Sequence, residues 1–80
     1  MDGDETARNY VRDLGPLLKE RALAAKADCD SATGEDRAFA SGRLMGFHEV
    51  ISLLQLQADA FGMDRADVGL ADIDPERDLL

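Results

Sequence analysis

The sequence predicts an all-α protein: an antiparallel helical hairpin with short C-terminal helical segments, two copies of which pair into a four-helix bundle. Three observations lead there. Apolar residues recur at helical steps of three and four in two long stretches, and no stretch alternates as a strand would. A short polar segment, Asp30 to Gly34, separates the stretches and turns the chain back on itself. The second stretch is apolar around more than half of its circumference, which one neighbouring helix cannot cover.

The first helix is expected over residues 5–30. Ala7, Val11, Leu14, Leu18, Ala22, Ala25 and Cys29 fall on one face, flanked by Tyr10 and Leu17. The phase holds across Gly15-Pro16. It reads as one helix kinked at Pro16, or as a short helix followed by a second that starts near Asp13 with proline in its first turn.

The second helix is expected over residues 34–61, with Thr33 as N-cap, Asp36 completing an approximate capping box and Gly62 ending it. Its seam is Ala40, Leu44, Phe47, Ile51, Leu54, Ala58 and Phe61, in heptad spacing. Phe39, Gly46, Val50 and Leu53 lie beside the seam, and Met45 and Leu56 lie farther round. Ala38, Gly42 and Gly46 repeat every fourth residue, a spacing of small side chains that admits a second backbone at close range.

Residues 64–80 form an acidic tail with short helical turns. Asp64 opens a turn over Arg65 to Val68 that stops at Gly69, and Asp74-Pro75 opens another with proline at the first helical position. Leu70, Ile73, Leu79 and Leu80 can dock on the hairpin, although the acidity also suits a solvated segment. Residues 1–80 are read as a single helical domain.

Eighty residues give a marginal core, burying only about 60% of the surface that an unfolded chain exposes. The usual supports for such a chain are a disulfide, a metal or oligomerisation. Cys29 is the only cysteine and His48 the only histidine, so the composition favours oligomerisation. A net charge of −8 with nine scattered basic residues argues against a nucleic-acid binder. The acidic opening Met1 to Glu5 lacks the basic and apolar regions of a signal peptide. Arg43, His48, Glu49, Gln55 and Gln57 interrupt the long apolar stretch, which argues against a membrane span. A cytoplasmic location follows as the default.

No catalytic constellation emerges. His48-Glu49 begins like the zinc motif His-Glu-x-x-His, but Ser52 stands where the second histidine is required. His48 shares a polar stripe with Ser41, Ser52, Gln55 and Asp59, and is read as a boundary residue at a helix interface or facing water. Asp72, Asp74, Glu76 and Asp78 alternate like the start of a calcium loop, yet Arg77 occupies the position that needs glycine. Cys29 lies on the buried stripe between Asp28 and Asp30, a setting for a small hydrophobe and not for a reactive thiolate. No catalytic residue, cofactor or metal site is assigned.

The run from Gly42-Arg43-Leu44 through His48-Glu49-Val50-Ile51-Ser52-Leu53 to Gln57-Ala58-Asp59-Ala60-Phe61-Gly62, followed by Gly69-Leu70 and Ile73-Asp74-Pro75, resembles short conserved bacterial proteins of unassigned function. The resemblance covers about two thirds of the chain. It implies a bacterial source and a stand-alone protein, and it transfers no active-site residue.

The function expected is therefore non-enzymatic: a protein-protein interaction or regulatory protein acting through a self-associating hairpin. Gly42, Met45, Gly46, Val50, Leu53 and Leu56 are the expected interface, with a homodimer or another protein as partner. The alternative is a small acidic inhibitor, from a phage or mobile element, whose carboxylates stand in for nucleic-acid phosphates against basic side chains.

Overall fold

Two long helices, α1 (Gly3–Ser31) and α2 (Glu35–Ala60), lie side by side in the computed structural model, which describes residues 3–80. Met1 and Asp2, the first residues of the acidic opening, lie outside the described residues. A single 3₁₀ turn over Arg65–Val68 and a short helix α3 (Pro75–Asp78) complete the chain. All secondary structure among the described residues is helical, and the molecule measures 50 × 22 × 16 Å.

The core is the seam between the long helices. Ala22, Ala25 and Cys29 of α1 meet Ala40, Leu44, Ile51 and Ala58 of α2, with Val11, Phe47 and Leu54 packed at the margins. Small residues on α1 against larger ones on α2 let the two axes approach closely. Phe61 departs from the expected seam. α2 ends at Ala60, and Phe61 sits in the turn beyond it, exposed. The turn is closed by the Met63 N–H donating to the Ala58 carbonyl at 2.8 Å and the Gly62 N–H to the Asp59 carbonyl at 3.1 Å, the reciprocal pair of a Schellman stop.

The start of α2 also departs from expectation. The N-cap is Gly34 and not Thr33, and no side chain caps the helix. α1 continues to Ser31, so only Ala32, Thr33 and Gly34 remain to reverse the chain. That reversal uses a backbone with φ 61° at Gly34, a value glycine adopts without the Cβ penalty that threonine would carry. The Arg37 N–H then donates to the Gly34 carbonyl at 3.2 Å.

α1 runs unbroken through Gly15-Pro16, and this dipeptide is where the tail lands. Gly15 is buried because the Val68 carbonyl lies where a Cβ would be. Gly69, at φ 71°, packs in return on Pro16, and a side chain there would come within 2.9 Å of the Arg12 carbonyl. Arg12 is the residue whose carbonyl Pro16, lacking an N–H, cannot bond. The breaker pair thus serves as a notch for the tail.

The tail is packed against the hairpin. Val68, Leu70, Ile73 and Leu79 are buried, while Leu80 is exposed. Asp67 accepts from the Asp64 N–H at 3.3 Å in the first turn, and Asp74 caps α3 by accepting from the Glu76 N–H at 3.0 Å. The Lys19 ammonium binds the Asp72 carboxylate and joins the tail to the middle of α1.

Candidate functional site

Two flanks of the helix pair differ in kind. On the first, the tail covers the polar stripe of α2. Gln55 is only 3% exposed, and its Nε2 donates to the carbonyls of Leu70 at 3.0 Å and Ile73 at 2.8 Å. One amide group therefore satisfies two backbone acceptors of an irregular segment that has no sheet or helix to do so. Ser41, His48 and Ser52 of the same stripe are half-buried, and Asp59 at its end is bonded to Arg65 at 2.9 Å. That guanidinium bond holds the Asp59 carboxyl below its usual range.

His48 lies under α3. Its Nε2 is 3.3 Å from Glu76 Oε1, close enough for an ion pair with a protonated ring, but the nitrogen is buried and makes no hydrogen bond. The approach is thus one of charge proximity without hydrogen-bond alignment. Three of the four acids that resemble a calcium loop have partners within the chain. Asp72 is bound to Lys19, which lowers its pKa, Asp74 caps α3, and Asp78 is bound to Arg77 at 2.8 Å. Among the described residues no group of three histidine, cysteine or acidic side chains is placed to hold a metal ion.

The second flank carries no tail. Along α2, Phe39, Gly42, Gly46, Val50 and Leu53 follow one another at helical steps and form a strip, with Arg43 beside it. Phe39 is 76% exposed, Val50 45% and Leu53 59%. Gly46, Phe47 and Val50 share a shallow hollow of about 270 Å³ with Leu18 of α1, so the strip continues across the groove between the helices. Tyr10 and Leu17 add further exposed apolar surface on α1. Arg43 is drawn back from the strip, stacking over the Phe47 ring at 5.4 Å and reaching Asp28 at 3.4 Å.

Four of the six residues expected at an interface, Gly42, Gly46, Val50 and Leu53, share this strip. Met45 and Leu56 are exposed as well, but they stand on the tail side. Met45 lines a cavity with His48 and Leu79, and Leu56 lines another with Pro75 and Glu76. Among the described residues nothing lies within 4 Å of where a Cβ on Gly42 or Gly46 would stand. The close helix approach expected of them does not occur within the chain.

A second apolar hollow, of about 260 Å³, opens at the far end of the pair between Ala7, Val11, Leu54, Phe61, Met63 and Val68. No helix among the described residues is long and apolar enough to cross a membrane. Comparison with protein-family models, curated proteins and solved structures returns no match.

Proposed function

We propose that the chain is a non-enzymatic interaction protein that self-associates through the uncovered flank of the hairpin. The observation that carries the reading is the strip Phe39, Gly42, Gly46, Val50 and Leu53, apolar and exposed on the flank opposite the tail. Contiguous apolar surface of this kind marks an interaction site on a soluble chain. Burial of a leucine-sized side chain contributes about 1.5–3 kcal/mol, so a few such residues offset the entropy of association. The small residues Gly42 and Gly46 then mark the crossing point, where two α2 helices come closest.

Self-association is favoured over acidic mimicry of nucleic acid because several carboxylates that mimicry would use are already committed within the chain. Asp72 is held by Lys19, Asp59 by Arg65 and Asp78 by Arg77. The test is sedimentation equilibrium of the tag-free protein across a wide concentration range. A dimer is expected, and Leu53→Asp is expected to return it to monomer. A wild-type protein that stays monomeric at high concentration sinks the proposal.

A further inference from the structure

We propose that the cavity between the C-terminal part of α1, the N-terminal half of α2 and the last two residues binds a small amphipathic carboxylate of medium chain length. Its volume, about 450 Å³, lies in the range of ligand pockets and is large enough for roughly fifteen water-sized groups at about 30 Å³ each. Among its α2 lining residues Arg37 stands nearest the hairpin turn and Glu49 farthest from it, twelve helical steps or about 18 Å apart along the axis. Between these ends Ser41 and His48 contribute polar groups, and the rest of the lining is apolar: Leu44 and Leu79 are buried, while Met45 and Leu80 are exposed.

The charges assign both the head group and its orientation. Lys26, at the same end as Arg37, is neutralised by Asp30 at 2.8 Å. Arg37 lines the cavity and makes no ion pair among the described residues, which leaves its donors open to an anion. Glu49 repels a carboxylate at the opposite end. An alkanoate with its head on Arg37 lays its chain over Leu44 and Leu79 and covers Met45 and Leu80, removing from water two apolar side chains that the fold leaves exposed. A chain of about ten carbons is shorter than the roughly 18 Å from Arg37 to Glu49 and stops before Glu49.

The experiment is a calorimetric titration of the full chain with sodium decanoate below its micellar concentration, with amide chemical shifts followed in parallel. Saturable one-to-one binding is expected, with shifts at Arg37, Leu44 and Leu79. Arg37→Gln is expected to weaken decanoate about tenfold or more, and decanol is expected to bind the unaltered chain as weakly as decanoate binds that variant. The exposed position of Arg37 makes the substitution harmless to folding. Absence of saturation, equal affinity for decanol, an unchanged Arg37→Gln variant, or shifts confined to Gly46 and Val50 would each overturn the proposal. Leu53 lies on the other flank, so Leu53→Asp is expected to keep decanoate affinity whether or not the unaltered chain dimerises, which keeps this site separable from the self-association reading.

Discussion

Gln55 is the residue on which the tail depends. Its amide faces two backbone carbonyls in a buried setting, and Gln55→Ala leaves both Leu70 and Ile73 without this donor. A loss of about 1–3 kcal/mol in unfolding free energy by denaturant titration is expected. Gln55→Glu is expected to lose more at neutral pH, because a carboxylate would replace the donor and face two carbonyl oxygens. Glycines provide a second comparison in which the sign of the effect is diagnostic. Alanine raises intrinsic helix stability by about 1 kcal/mol over glycine at an open site. Gly42→Ala and Gly46→Ala, open within the chain, are therefore expected to raise the thermal midpoint of the dilute monomer, while Gly15→Ala lowers it, because the new Cβ overlaps the Val68 carbonyl. Periodicity puts Gln55 on a polar stripe but does not reveal its role, since a glutamine facing water and one facing carbonyls leave the same mark in a hydropathy pattern. Gly15-Pro16 is ambiguous in a similar way: a breaker pair signals a bend more readily than a socket, and the residues that fill the socket lie more than fifty positions away.

At the scale of elements, the long helices are legible because periodicity is a local property, and the middle of each apolar stripe forms the seam, while Ala7 and Phe61 at the far ends are exposed. The turn was less so. Thr33 has the better capping side chain, but a three-residue reversal depends on backbone freedom, and Gly34 supplies it. The short C-terminal turns follow their Asp64 and Asp74 starts, because caps act over three or four residues and require no tertiary information. The Asp78 carboxyl is lowered to about 2 by its bond to the Arg77 guanidinium and then by the Asp74 N–H that it accepts. A group depressed on folding stabilises when ionised. Its contribution is complete above the ordinary value of 3.8 and fades as pH falls toward about 2. The expected outcome is a progressive loosening of α3 between about pH 4 and pH 2, which amide exchange at Asp74 and Leu79 would detect. Unchanged protection down to pH 2 would mean that apolar docking through Leu79 holds the element alone.

At the scale of the whole molecule, the tail divides the hairpin into a covered flank and an open one. Periodicity shows that α2 has more apolar surface than one helix covers, but presents that surface as a single excess. The structure separates it: Met45 and Leu56 belong to the tail side, whereas Val50 and Leu53 belong to the open side. The expected consequence is an unequal response to charge. Leu53→Asp is expected to abolish concentration-dependent mass in sedimentation while leaving the unfolding midpoint of the dilute protein within about 0.5 kcal/mol, as for surface substitutions generally. Met45→Asp is expected to leave the mass distribution unchanged.

The tail's footing also dictates an order of events when the chain folds. Gly15 and Lys19 come from one long helix and Gln55 from the other, so the surface that receives Val68, Asp72 and the carbonyls of Leu70 and Ile73 exists only after the hairpin has closed. Closing the hairpin spans a loop of three residues, whereas the Lys19 to Asp72 bond joins positions 53 apart. The hairpin therefore assembles first, and the tail arrives last. A nascent chain would pass through an interval in which Leu70, Ile73 and Leu79 are free and the polar stripe that they cover is bare, giving a chaperone or a competing segment its one opportunity to occupy that stripe.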